Sequence, residues 1–278
     1  MPTFDTPEPI TATLEFDMGS ARIIAGKRLD TVVEVIPTVG TEEDDVRTAQ
    51  QTTVTFAGGR LLVKGPRKRS LFGRPGSIDV TVELPVGSEV LGTSQLAGFI
   101  CEGPLGEVRL KTSLGDIRVA EAASANLRTD HGDIQLDAVA GDAEVVGSGH
   151  VEVARVGGAA IVKNTNGETA VGEVRGTLKA TASNGRITVG VAHTGVEAKT
   201  AHGAIRVGEV VRGKVTLQTS AGDIEVGIRE STAAWLDVHT RVGSLRNSLG
   251  PGDAPGAAEE SVEVRARTQV GDITIRRS

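Results

Sequence analysis

Gly185-Arg-Ile-Thr-Val189, Gly203-Ala-Ile-Arg-Val207 and Gly222-Asp-Ile-Glu-Val226 state one phrase three times: glycine, polar, aliphatic, polar, aliphatic. The phrase starts at Gly115-Asp-Ile-Arg-Val119 and recurs at Gly132-Asp-Ile-Gln-Leu136, Gly149-His-Val-Glu-Val153 and Gly167-Glu-Thr-Ala-Val171. It degrades at Gly243-Ser-Leu-Arg-Asn247 and returns at Gly271-Asp-Ile-Thr-Ile275. Successive glycines are 17, 17, 18, 18, 18, 19, 21 and 28 residues apart. Each copy carries more than the phrase. Seven residues after the glycine sit Ala122, Val139, Val156, Val174, Ala192 and Val210. A second alternating run follows, as in Val196-Glu-Ala-Lys-Thr200 and Val215-Thr-Leu-Gln-Thr219. Threonine recurs three residues before the next glycine, at Thr112, Thr129, Thr200, Thr219, Thr240 and Thr268.

Period-2 alternation means strands with one face buried. Glycine at fixed intervals means turns that need positive φ or close backbone approach. One repeat of this length cannot bury its own apolar face, so neighbouring repeats must stack. The predicted fold is all-β: a single-chain β-solenoid, or β-helix, of about 18-residue rungs spaced ~4.8 Å apart. An antiparallel sandwich also gives short, regularly spaced strands, but it requires no residue-by-residue ladder. Composition agrees. Of 278 residues 36 are glycine, against an ordinary ~7%. Only five Phe and one Trp are present, with no Tyr, so small β-branched side chains must fill the interior.

Two places disturb the register. Ala143, Val145 and Gly147 sit one residue out of phase, which a shorter turn or bulge would explain. The stretch 247–261 contains Leu249-Gly-Pro-Gly-Asp-Ala-Pro-Gly-Ala-Ala and reads as a loop excursion. Residues 104–278 are assigned to the solenoid and 1–103 to an N-terminal β-rich cap region. The cap region holds five of the six aromatics. Strand-like runs there are 10–17, 21–24, 31–36, 52–56, 60–63 and 78–84. Phe56-Ala-Gly-Gly-Arg60 reads as a hairpin turn, and the charged stretch 42–51 as one short helix. The strands of Val262–Ala266 and Gly271–Ile275 are expected to form the last rung, its edge guarded either by the charges of Arg276 and Arg277 or by the loop at 248–260 folding across it.

Thr-x-x-Gly-Asp-Ile-x-Val after small-residue turns resembles a widespread bacterial β-strand-repeat family of unknown function that carries an adhesin label. Phe4-Asp-Thr-Pro-Glu-Pro-Ile10, Thr31-Val-Val-Glu-Val35, Gly59-Arg-Leu-Leu-Val-Lys64 and Ser77-Ile-Asp-Val-Thr-Val-Glu-Leu-Pro85 resemble its actinobacterial members. The resemblance covers nearly the whole chain, implies a solenoid and brings no catalytic residues.

The expected function is that of a non-enzymatic, adhesin-like scaffold acting through protein–protein or surface contacts. One alternative is a self-assembling cytoplasmic β-helix polymer. A weaker one is a carbohydrate-active β-helix enzyme, which the lack of aromatic platforms disfavours. No catalytic, metal or cofactor set is expected. The Asp after each glycine is read as a turn residue bonding backbone N–H groups, because a calcium site would need 6–8 oxygen ligands. The net charge of −6 is spread evenly, which argues against nucleic acid. The only basic cluster is Lys64, Arg67, Lys68, Arg69 and Arg74 with Leu71 and Phe72 at its tip, a candidate partner contact. Trp235 precedes the in-facing pair Leu236 and Val238, so alternation points it outward as a second candidate. No apolar run is long enough to span a membrane and no signal peptide is seen, so a cytoplasmic location is expected, with surface display only by an unrecognised route. The partner expected is an unknown protein or surface. A monomer is expected, with a strand-edge dimer as the alternative.

Overall fold

The computed structural model describes residues 1–66, 76–249 and 260–278. The chain is a β-solenoid built almost wholly of strands, and it divides into two compact units, Met1–Ala138 and Val139–Ser278.

In the first unit the strands are β1 (Thr3–Asp5), β2 (Thr11–Glu15), β3 (Met18–Gly26), β4 (Asp30–Pro37), β5 (Thr53–Ala57), β6 (Arg60–Lys64), β7 (Ile78–Pro85), β8 (Glu89–Thr93), β9 (Leu96–Leu114) and β10 (Ile117–His131). One helix, α1 (Glu43–Gln51), occupies the charged stretch. β11 (Ile134–Val139) runs across the division between the units. Parallel pairing begins at β2. One ladder runs β6, β2, β8, β9, and another runs β7, β3, β9, β10. The rung β2–β3 therefore sits between two rungs that follow it in sequence. In the core Val82, Ile23, Cys101 and Val119 stack in register, as do Val80, Ala21, Phe99 and Ile117. Gly92 makes room for the largest of these: a Cβ there would collide with the Phe99 ring and with Leu110.

The outer sides of β6 and β7 are taken by antiparallel strands. β5 returns on β6 through Gly58 and Gly59, both at positive φ, and this is the predicted hairpin. β4 lies antiparallel to β7, and β1 to β4. Phe4 and Phe56 pack there with ring centroids 5.2 Å apart. The buried Asp45 of α1 accepts N–H bonds from Val39 (3.0 Å) and Ser77 (2.7 Å), which pins the helix between two loops. Cys101 is sealed in the ladder, and burial pushes its thiol up to about 12.

The second unit contains β12 (Ala143–Gly147), β13 (Val151–Val156), β14 (Ala160–Asn166), β15 (Thr169–Val174), β16 (Leu178–Asn184), β17 (Ile187–Ala192), β18 (Val196–His202) and β19 (Ile205–Val210). It ends with β20 (Gly213–Ala221), β21 (Ile224–Ile228), β22 (Ala233–Val242), β23 (Leu245–Asn247), β24 (Ser261–Val270) and β25 (Ile273–Arg277). The strand pairs among its described residues are parallel. Ile187, Ile205, Ile224 and Ile273 form one unbroken ladder, each at most 1% exposed. Ala143, Val145 and Gly147 are buried in register with Ala160, Val162 and Asn164; three residues separate Gly147 from Val151 where four separate Asn164 from Thr169, and this shorter turn absorbs the phase slip.

The recurring motif residues bond from rung to rung. At Gly203 φ is +146°, and a Cβ would overlap the carbonyl oxygen of Gly185. Gly115, Gly132, Gly167, Gly185, Gly222, Gly243 and Gly271 repeat this at positive φ. The threonine hydroxyl covers the same carbonyls: Thr219 donates to Gly203 (3.0 Å), Thr268 to Gly222 (3.0 Å) and Thr129 to Gly115 (2.9 Å). Asn164 takes this position in its own rung, donating to the Gly149 carbonyl at 2.9 Å. The aspartate after the glycine binds backbone, as expected. Asp116 accepts from Asp133 N–H (3.0 Å), Asp223 from Asp272 (2.8 Å) and Asp272 from Ser244 (2.8 Å). The Ser244 donor holds the Asp272 carboxyl below the usual carboxylate range. Thr219→Val keeps the shape but strips the donor from a part-buried carbonyl. It is expected to cost about 1–3 kcal/mol, read as a lowered urea midpoint. An unchanged midpoint would mean that these hydroxyls only fill space.

One expectation is corrected. The last rung in sequence is not the last in space. β24 pairs with β20 on one side and β22 on the other, and β25 likewise with β21 and β23. Arg276 and Arg277 therefore guard no edge. Arg276 Nε bonds Glu225 at 2.9 Å, and Arg277 donates to the carbonyls of Arg229 (2.9 Å) and Thr232 (2.8 Å) in the turn before β22. The physical reason lies in the in-facing residues. β24 and β25 present Val262, Val264, Ala266, Ile273 and Ile275, each at most 1% exposed, and suit a place buried from both sides. The degraded copy Gly243-Ser-Leu-Arg-Asn247 ends in polar residues and takes the outside. The excursion at 247–261 links the outer rung back to the inner one; residues 250–259 of it lie outside the described residues.

Candidate functional site: the open rung of β22 and β23

The second unit ends at β22 and β23, which among the described residues pair on one side only. Ala233 N–H donates to the Glu260 carbonyl at 2.9 Å. In a parallel ladder alternate residues serve one neighbour. Ala233, Trp235, Asp237 and His239 therefore turn their backbone groups to β24. Ala234, Leu236, Val238 and Thr240 turn theirs to the open side.

Side chains follow the same alternation at right angles. Leu236 and Val238 lie over Val264 and Ala266 and continue the core ladder, yet they are only half-buried, since no strand among the described residues pairs beyond them. Trp235, Asp237, His239 and Arg241 point outward. Trp235 is 76% exposed and borders a shallow groove of about 360 Å³ with Asp237, Ser261, Glu263 and Arg265. Two ion pairs line that surface, Arg265 with Glu263 (2.7 Å) and Arg267 with Asp237 (3.2 Å). Near the turn at Gly243, Val242, Leu245 and Val270 are also exposed. An edge with free backbone groups beside a bare indole can bind another polypeptide.

The other candidate contact is only partly described. Lys64 Nζ lies 2.7 Å from Glu15, so its charge is already matched within the chain. It lines a recess of about 280 Å³ with Phe16, Pro66, Thr93 and Gln95. Arg67, Lys68, Arg69, Leu71, Phe72 and Arg74 lie outside the described residues. The sequence points to Trp235 but not to the free edge beside it. The available signal was the degraded phrase at Gly243, where an interior rung would keep its aliphatics.

No curated protein sequence matches the chain. Solved structures of similar architecture include a proposed adhesin from Bacteroides fragilis, 11% identical, with a TM-score of 0.37, covering 99% of this chain and 95% of that one. A proposed cell adhesion protein from Clostridium sporogenes is 13% identical with a TM-score of 0.25, covering 100% and 98%. A proposed lipid-binding protein from Parabacteroides distasonis is 10% identical with a TM-score of 0.26, covering 100% and 95%. The model of the family described as Toastrack DUF4097 matches residues 38–276, and with its stacked rungs, glycine turns and aliphatic ladders the chain belongs to that family.

Proposed function

We propose that the protein is a non-enzymatic binding scaffold that works through protein–protein contact at the open rung of β22 and β23. The observation that carries this reading is Trp235, a large apolar side chain held 76% exposed beside an unpaired strand edge. Trp is favoured at contact hot spots, since one rigid ring covers a large area. A soluble β-protein ordinarily blunts such an edge with a proline, a bulge or an inward charge. Within Ala233–Val242 there is no proline and no inward charge, the in-facing residues being Ala234, Leu236, Val238 and Thr240, and the edge charges are the outward Asp237 and Arg241.

A photo-crosslinking amino acid placed at Trp235 tests the reading in the native host, with Arg155, an exposed residue of β13, as the control position. Discrete adducts at 235 and none at 155 are expected. Equal labelling at both positions, or none at either, would overturn the reading. Turnover of a polysaccharide by the purified protein would overturn its non-enzymatic part.

A further inference from the structure

The structure points to a second copy of this chain as an occupant of the open rung, bound edge to edge by antiparallel pairing of β22 with β22 of the partner. This inference rests on the reading above and names the partner for the same surface. The first ground is hydrogen bonding. The N–H and C=O groups of Ala234, Leu236, Val238 and Thr240 face the open side, and a strand meeting them there can pair with those of Leu236, Val238 and Thr240. Two copies of one edge meet about a two-fold axis, which makes the strands antiparallel.

The second ground is charge complementarity, and it selects the register. The hydrogen-bonding pattern allows the axis to pass through residue 237, 238 or 239. On Asp237 it would set carboxylate against carboxylate. On His239 it would set imidazole against imidazole and leave Trp235 facing Gly243. On Val238 every outward side chain meets a complementary one: Asp237 faces His239 of the partner subunit, and Trp235 faces Arg241 of the partner subunit, an arrangement suited to cation–π contact. The inward row agrees. Val238 meets its own copy, Leu236 meets Thr240 of the partner subunit, and the half-exposed core ladder gains an apolar continuation. The sequence Trp235-Leu-Asp-Val-His-Thr-Arg241 is thus self-complementary about its centre.

The test is the mass of the full chain by sedimentation equilibrium over a concentration series. Wild type is expected to move from 28.7 kDa towards twice that mass. Val238→Pro is the sharpest variant, because the Val238 N–H faces the open side and its loss breaks no bond to β24. That variant should stay monomeric with its far-UV spectrum unchanged. The charge variants decide the matter independently of any folding defect. Asp237→Lys alone sets Lys against His, and His239→Asp alone sets Asp against Asp. Each should raise the dissociation constant about tenfold. An equimolar mixture restores a carboxylate opposite a basic side chain at both contacts and should recover the wild-type constant. A wild type that stays monomeric, or a dimer indifferent to both charge variants, would overturn the inference. A monomer that still yields adducts of another protein at Trp235 would sink the second copy and leave the binding-scaffold reading intact.

Discussion

Gly203→Ala is expected to lower stability by about 3–5 kcal/mol, a very large effect for one methyl group. Two penalties act together. The φ of +146° is one that an L side chain rarely adopts. The added carbon would also overlap the Gly185 carbonyl oxygen, which belongs to the neighbouring rung's backbone and cannot swing aside. Relief would require the rungs to separate, and that would stretch the Thr200 hydroxyl bond to the Gly185 carbonyl, now 3.3 Å, together with the adjoining ladder. Gly58→Ala separates the two penalties. Gly58 has φ +56° and open space around its missing Cβ, so it carries the conformational cost alone. That variant should lose about 1–2 kcal/mol. Urea midpoints measured side by side check the pair. Equal losses would show that backbone conformation, and not rung contact, makes the repeated glycine necessary.

Ile205→Ala should cost about 2–5 kcal/mol, the range for emptying a well-packed site that cannot collapse. Ile205 is fully buried between Ile187 and Ile224 in one ladder, and regular strand spacing holds those neighbours where they are. The cavity should persist. Leu245→Ala makes the contrast. Leu245 holds the equivalent position in the outer rung, over Ile273, but is 50% exposed. Its truncation should cost under about 1 kcal/mol, since little apolar area returns to water. Thermal denaturation of both variants tests this. A loss at Leu245 as large as that at Ile205 would mean that the outer rung is closed over in solution.

Acid should weaken the same rungs. Hydrogen bonds from Arg276, and then from Arg206, hold the Glu225 carboxyl below its usual range, while burial opposes them more weakly than Arg276 acts. Glu209 is lowered chiefly by Arg229 and the Ser278 hydroxyl. A carboxylate lowered in the folded state contributes stability above its unfolded pKa, and that contribution fades as pH falls towards the folded value. A melting temperature that drops from pH 5 to pH 3, and drops less in Glu225→Gln, is the expected result. Equal acid sensitivity in the variant would show that these pairs are too exposed to matter.

The sequence by itself determined what each rung is. The period near 18, the in-facing aliphatics, the Thr donors, the Asp turn residues, the Phe56–Arg60 hairpin and the helix after residue 42 are local properties. Each depends on alternation, φ preference or side-chain length within one repeat. The outward direction of Trp235 follows from the same alternation. What only the tertiary structure decided is which rung lies beside which. Every rung presents nearly the same aliphatic code, so Gly203-Ala-Ile-Arg-Val207 and Gly271-Asp-Ile-Thr-Ile275 are equally good neighbours for Gly222-Asp-Ile-Glu-Val226. Pairing strength alone barely separates the possible orders. The choice fell to differences spread over distant residues. Arg277 reaches the carbonyls of Arg229 and Thr232, the fully aliphatic rung gains by burial from both sides, and the link at 247–261 lets the chain return. That choice placed β22 and β23 at the end of their ladders, and so put the free edge beside Trp235 rather than at the C-terminal strands.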